Sequence, residues 1–186
     1  MGALAVASRK DLEVLRQGAL DLAGETAVAP KALAEALYFV KSAGFSASES
    51  LDVVDASAKA ATAGLGETSV IADAVSSAIG SYGKDALSAA EATDTMVAAI
   101  AVGKMEANEL APVLGRITPI SAQMGVEFDE LNGYLAVMSR TGLDAAESVT
   151  SLRGIMTQLL SVSTSTFVAA LRLYRTPSAR KVSAAG

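Results

Sequence analysis

One short signal recurs five times along this chain and predicts where its helices begin. It consists of an apolar residue, then Ser, Asp or Glu, two spacer residues and a Glu. The copies are Phe45-Ser46-x-x-Glu49, Leu87-Ser88-x-x-Glu91, Met105-Glu106-x-x-Glu109, Val126-Glu127-x-x-Glu130 and Leu143-Asp144-x-x-Glu147. A short polar side chain at the second position caps the free N–H groups of a new helix, and the Glu can bond back to the cap. The signal therefore predicts a chain of many short helices.

The five copies are not equally strong. Ser46 and Ser88 fit the strict capping box, and Asp144 is a good cap, whereas Glu106 and Glu127 are poor caps. In three copies a glycine stands directly before the apolar residue: Gly44, Gly125 and Gly142. Because glycine readily adopts the left-handed conformation that ends a helix, these copies predict a turn followed at once by a new helix.

Helical periodicity runs through every long segment. The clearest stripe is Val70, Ile71, Ala74, Val75, Ala78, Ile79 and Tyr82, and a later one is Val149, Leu152, Ile155 and Leu159. Helices are predicted near 10–23, 31–43, 47–62, 68–80, 88–102, 107–123, 128–140 and 145–160, with a further one near 165–174. Pro112 and Pro119 predict a kink or split in the 107–123 segment, and SVSTSTF (161–167) is interpreted as a loop or linker. The predicted fold is all-α, an irregular bundle of about eight short Ala-rich helices joined by Gly-containing turns.

Composition leaves almost no catalytic chemistry. The chain has no Cys and no His, so thiolate nucleophiles, imidazole bases and the usual zinc ligands are excluded. The carboxylate pairs Asp52/Asp55 and Asp129/Glu130 lie near predicted helix starts, where acids offset the helix dipole and solvate an outer face. We predict no catalytic, cofactor-binding or metal-binding residues, and no enzymatic activity. The large aromatic residues are interpreted as core anchors: Tyr38, Phe39, Phe45, Phe128 and Tyr134.

The charge is distributed unevenly. Up to Glu147 the chain carries 20 acidic and 10 basic residues, and after it only five basic ones. We therefore divide the chain into a helical module, 1–160, and a basic segment, 161–186, that is poorly ordered or aberrant. The longest apolar run, Met96 to Val102, is far shorter than the roughly 20 residues that cross a bilayer.

Three segments carry a resemblance to a known family. They are LAEALYFVKSAGFSASESLDVVDASAKAATAGLGETSVIADAVSSAIGSYG (33–83), DTMVAAIAVGKMEANEL (94–110) and LAPVLGRITPISAQMGVEFDELNGYLAVMSRTGLDAAESVTSLRGIMTQLL (110–160). In this order, over most of residues 20–160, the chain resembles the conserved core region of phage tail tape measure proteins. The pattern fades near Leu160, which suggests a truncated or fragmentary gene. The residues that transfer are turn and cap positions, which carry fold: Gly44, Gly64, Gly125 and Gly142.

The resemblance implies a structural protein of the phage tail that takes part in tail assembly and length determination. Such proteins resemble rulers: they occupy the lumen of the tail tube, template its polymerisation and leave during DNA ejection. The implied partners are the tail tube protein, tail assembly chaperones and tail tip proteins, with self-association as a further option. No cofactor and no specific nucleic acid is expected. The implied location is the virion, after assembly in the host cytoplasm.

Two other functions stay open on the sequence alone. A generic helical adaptor would bind partners through exposed apolar faces, without catalysis. A membrane-surface protein would place the basic 165–181 segment near a bilayer.

Overall fold

A computed structural model of the chain describes residues 9–105 and 107–174. Within those residues every regular element is helical, which confirms the all-α prediction. The helices are α1 (Arg9–Thr26), α2 (Pro30–Ser42), α3 (Ala47–Ala60), α4 (Thr68–Tyr82), α5 (Ala89–Val102), α6 (Ala107–Leu114), α7 (Thr118–Gln123), α8 (Phe128–Arg140) and α9 (Ala145–Tyr174). A five-residue π-helical turn, Ala61–Leu65, follows α3.

The three stronger start signals form reciprocal caps. At the start of α3, Ser46 Oγ accepts the Glu49 N–H at 3.2 Å, and Glu49 Oε2 accepts the Ser46 N–H at 2.7 Å. The same pair of bonds forms at Ser88, before α5, and at Asp144, before α9. Each cap satisfies first-turn N–H groups that would otherwise face solvent without an intrahelical partner. The capping prediction is therefore confirmed at these three helices.

The two weaker signals have different outcomes. At α8 the Glu127 N–H donates to Glu130 Oε2 at 3.3 Å, and the Glu130 N–H donates to Asp129 Oδ1 at 2.8 Å. Three acidic residues thus take part in the hydrogen bonds at the start of α8, and all three lie near the positive end of the helix dipole. Glu106 lies outside the described residues.

The structure has turns at the predicted glycines. The four glycines that the resemblance assigns to turns have φ between 72° and 102°: Gly44, Gly64, Gly125 and Gly142. The 107–123 segment is split into α6 and α7, as its prolines predict. Pro112 lies inside α6, and Pro119 occupies the first turn of α7, where a missing N–H costs nothing.

α4 lies at the centre of the bundle. It packs against α2 and α3 and also against α5, α6 and α7. Its buried residues point in several directions around the helix axis, as they must in a helix enclosed by others: Thr68, Ile71, Ala72, Ala74, Val75, Ser76, Ala78 and Ile79. Many core positions are alanines, including Ala36, Ala58 and Ala92, each fully buried. Small side chains allow these helices to approach each other closely.

The prediction of a loop at 161–167 is wrong. α9 is one continuous helix of 30 residues from Ala145 to Tyr174. The sequence explains the difference, because no Gly or Pro interrupts it between Gly154 and Pro177. A serine in a helix can bond a preceding carbonyl, as Ser161 Oγ does with the Gln158 carbonyl at 2.7 Å. The end of the predicted basic segment, 175–186, lies outside the described residues.

Candidate interaction surfaces

One carboxylate of each pair bonds a group of its own helix. Asp55 Oδ2 accepts from Lys59 Nζ at 2.6 Å, one turn along the same helix, and Asp52 is exposed nearby. Asp129 bonds the Glu130 backbone within the first turn of α8. Over residues 9–105 and 107–174, no group of three or more Asp or Glu side chains is placed to hold a metal ion.

One charged cluster links the start of α3 to the turn after α4. Lys84, in the turn after α4, donates to both carboxylate oxygens of Glu49 at 2.8 and 2.9 Å and lies 4.6 Å from the centre of the Phe45 ring. The bonds from Lys84, then those from Ser46, lower the pKa of Glu49 to about 2. Because Glu49 also caps α3, one carboxylate fixes both the start of that helix and the turn beside it. This cluster is a structural clamp.

The first surface is an apolar groove between α1 and α2, with a volume of about 420 Å³. Its walls are mostly apolar, although Arg16 and Lys41 also line it, and they include Leu12, Leu15, Ala19, Leu20, Leu37 and Tyr38. Tyr38 is 51% exposed and packs edge-to-face against Phe39, which is 48% exposed. Large exposed apolar side chains grouped in this way are typical of a protein-binding surface.

The prediction that all five aromatic residues are core anchors is only partly correct. Phe45 and Phe128 are buried, whereas Tyr38, Phe39 and Tyr134 are exposed. The buried face of α2 is formed by residues at helical spacing: Leu33, Ala36, Leu37 and Val40. Tyr38 and Phe39 stand between Leu37 and Val40 in the sequence but lie away from the buried side of the helix. The size of an aromatic side chain does not predict its burial here, whereas the helical spacing of the apolar residues in α2 does.

The apolar stripe predicted for α9 is also partly wrong. Val149 is buried, but Ile155 and Leu159 are 54% and 55% exposed. Met156, the next residue after Ile155, is buried instead, and its sulfur lies 3.5 Å from Ser121 Oγ. Beyond Met156, the side chains of 157–159 and of Ser161 are exposed, and that of Leu160 is partly buried.

Two further grooves differ in the sign of their charge. The acidic groove, about 360 Å³, is lined by Tyr82, Leu87, Glu91, Glu127, Phe128 and Asp129. Partial burial, and then the negative charge of Glu127, raise the pKa of Tyr82 to about 12. The basic groove, about 520 Å³, is lined by Arg116, Thr150, Arg153, Gly154, Thr157 and Gln158. These two grooves were not predicted, because each combines residues from helices far apart in sequence.

Comparison with known proteins gives a consistent result. The sequence profile of a family described as phage-related minor tail protein matches residues 16–176. The chain is also 25% identical over 157 residues to a protein named tape measure protein from Pneumococcus phage Dp-1. That match covers 84% of this chain but only 14% of the relative. The profile match continues past Leu160, so the predicted end of the family pattern was placed too early. No solved structure was found to match the chain.

Proposed function

This chain belongs to the phage-related minor tail protein family, and we propose that it is a helical module of a tape measure protein that helps to set tail length. In this role the module lies in the lumen of the tail tube during assembly and leaves during DNA ejection. The observation that supports the proposal most is the profile match, which runs from within α1 to just past the end of α9. The coarser role, a structural component of a phage tail, follows from the family itself.

Length determination requires more chain than this module provides. At 1.5 Å per residue even α9, the longest helix described, spans only about 45 Å, and the other helices fold back on one another. The relative from phage Dp-1 is about seven times longer than the segment it shares with this chain. We therefore propose that the whole protein sets the tail length and that this module is a compact site of contact within it.

The exposed surfaces suit contacts with other proteins. The groove between α1 and α2 presents Tyr38 and Leu20 to solvent, and none of the described helices is long and apolar enough to cross a membrane. We propose that the partners are tail tube subunits, assembly chaperones and tail tip proteins. The same groove also supports the alternative of a helical adaptor, because an amphipathic helix would fit an apolar cleft of this kind.

Tail length in a phage that carries this gene tests the proposal. We expect an in-frame deletion of codons 16–176 to give virions without tails, or with tails of a new, uniform and shorter length in electron micrographs. A phage carrying Lys31→Gln, a change at an exposed residue of α2, is the control and should have tails of normal length. Tails of unchanged length after the deletion would contradict the proposal and leave the adaptor as the better assignment.

A further inference from the structure

The basic groove is built from two stretches of the chain that contain no acidic residue. Arg116, in the turn between α6 and α7, contributes one wall, and α9 contributes the other between Val149 and Gln158. No Asp or Glu occurs in 110–126 or after Glu147, although the chain as a whole carries 20 acidic residues. The groove is therefore a local positive site on a molecule whose net charge is −5.

The strongest hydrogen-bond donors that line this groove are unused. In the described part of the chain, the guanidinium groups of Arg116 and Arg153 and the side-chain amide of Gln158 form no hydrogen bond or ion pair. By contrast, Thr150 and Thr157 each donate their hydroxyl proton to the carbonyl four residues earlier in α9, at 2.7 and 2.8 Å. The arginines and the glutamine thus keep their donors for a partner, and a guanidinium needs acceptors such as carboxylate oxygens.

Along α9 the groove has an open position near its centre. Two rows of residues at four-residue spacing line it: Val149, Arg153 and Thr157, and Thr150, Gly154 and Gln158. A Cβ atom on Gly154 would meet no atom within 4 Å, so the space above this residue is empty. Side chains of a second helix can pack between rows of this spacing. From 149 to 158 the helix rises by about 14 Å, which is the length of roughly two and a half turns of a partner helix.

We propose that this groove binds an acidic α-helix of a partner protein, with its carboxylates on Arg116 and Arg153. A guanidinium binds a carboxylate through two parallel hydrogen bonds, and the Gln158 amide can donate a further one. A helix suits the site because its backbone groups are bonded internally, whereas an extended segment would place unpaired N–H and C=O groups against α9. The inference rests on the proposed role of this module in contacts with other proteins, and it names the chemistry of one such partner.

The charge of the whole chain favours a protein partner over nucleic acid. Up to Glu147, acidic residues outnumber basic ones two to one. A phosphate backbone longer than the groove would extend over this acidic surface and be repelled, whereas a helix can confine its carboxylates to one face. Because the groove is open to solvent, the contact weakens as salt is added.

A synthetic helical peptide tests the proposal. The probe is a fluorescent, alanine-rich peptide of about 16 residues with a glutamate at every fourth position, so that its carboxylates lie on one face. A second peptide has glutamine at those positions. The charge variant of the protein is Arg116→Gln with Arg153→Gln. Its control, Lys10→Gln with Lys31→Gln, makes the same change of net charge on α1 and α2, and circular dichroism establishes that each variant is folded.

A second pair of variants tests the shape of the groove without changing its charge. Gly154→Leu fills the open position in α9, and Gly133→Leu places the same side chain at an open position of α8. Leucine favours a helix more than glycine does, so both variants should remain folded. A general attraction between a basic surface and an acidic peptide would not distinguish these two variants.

Fluorescence polarisation at about 50 mM salt gives the readout. We expect the wild type, the lysine control and Gly133→Leu to bind the glutamate peptide with similar affinity. Binding should be about tenfold weaker in the arginine variant, because two exposed ion pairs are lost, and Gly154→Leu should also weaken it. The glutamine peptide should bind the wild type as weakly as the glutamate peptide binds the arginine variant.

Three results would overturn the proposal. They are no binding of the glutamate peptide by the wild type, equal binding by the wild type and the arginine variant, and equal binding by Gly154→Leu and Gly133→Leu. A single-stranded DNA of the same charge that bound more tightly than the peptide would assign the groove to nucleic acid instead. Tail length after deletion of codons 16–176 is a separate measurement, so a short tail with no peptide binding would remove this partner and keep the proposed function.

Discussion

Gly103 shows how closely two helices of this bundle approach at a single residue. It follows the last residue of α5, where a Cβ atom would lie 2.8 Å from Ser139 Oγ and 3.2 Å from the Cα of Ala136, both on α8. The next residue, Lys104, donates its backbone N–H to the same Ser139 Oγ at 2.9 Å. The absence of a side chain at 103 therefore allows this bond to form.

A pair of Gly→Ala variants should change stability in opposite directions. We expect Gly103→Ala to lower the free energy of unfolding by about 1–3 kcal/mol, because α5 and α8 must move apart. Gly133→Ala, in the middle of α8, should raise it by about 0.5–1 kcal/mol, because a Cβ there meets no atom within 4 Å and alanine favours the helix. Urea unfolding followed by circular dichroism measures both. Equal effects of the same sign would contradict the close approach at Gly103.

The Glu49 carboxylate makes stability depend on acidity. Its pKa is lowered from 4.5 to about 2 in the folded chain, chiefly by the bond from Lys84. The stabilisation is therefore complete above about pH 4.5 and is lost as the pH falls towards 2. We expect the melting temperature of the wild type to fall more between pH 6 and pH 3 than that of Glu49→Gln, as thermal melts would detect. Asp52→Asn, an exposed neighbour, is the matched control and should follow the wild type.

Helix starts are the elements that could be predicted best. Ser46, Ser88 and Asp144 cap their helices as predicted. A cap depends on residues only three positions apart, so the sequence is enough to predict it. The surface of each helix was harder to predict. Ile155 is exposed although it belongs to the apolar stripe of α9, because the neighbouring helices cover a different side of that helix. That depends on packing between distant segments, and so do both charged grooves.

Up to Ser161, α9 has one side that packs on the bundle and another that is exposed to solvent. We expect Met156→Ala to cost about 2–5 kcal/mol, because the side chain is buried against the bundle. Thr157→Ala, at the exposed next position, should instead change the free energy of unfolding by less than about 0.5 kcal/mol. Circular dichroism during urea unfolding measures both quantities. A loss of stability in Thr157→Ala as large as that in Met156→Ala would contradict this assignment of the two sides of α9.

The central position of α4 determines how the whole molecule should unfold. Since α4 packs against α2 and α3 as well as α5, α6 and α7, neither group of helices keeps its core when α4 is lost. Ile71, fully buried on α4, reports on this directly. We expect Ile71→Ala to lower the free energy of unfolding by about 2–5 kcal/mol. Hydrogen exchange should show that amides in α2, which packs directly against α4, lose protection together with amides in α8, which packs against α5.

The matched control for Ile71→Ala is Val97→Ala, at a partly exposed position of α5. It removes apolar atoms from the surface and should change neither the unfolding midpoint nor the exchange pattern by a comparable amount. If Ile71→Ala released α2 while α8 kept its protection, the bundle would consist of two units that unfold separately. Joint loss of protection follows from a core whose central helix is shared, because removing buried volume from α4 weakens the packing of the helices on both sides of it.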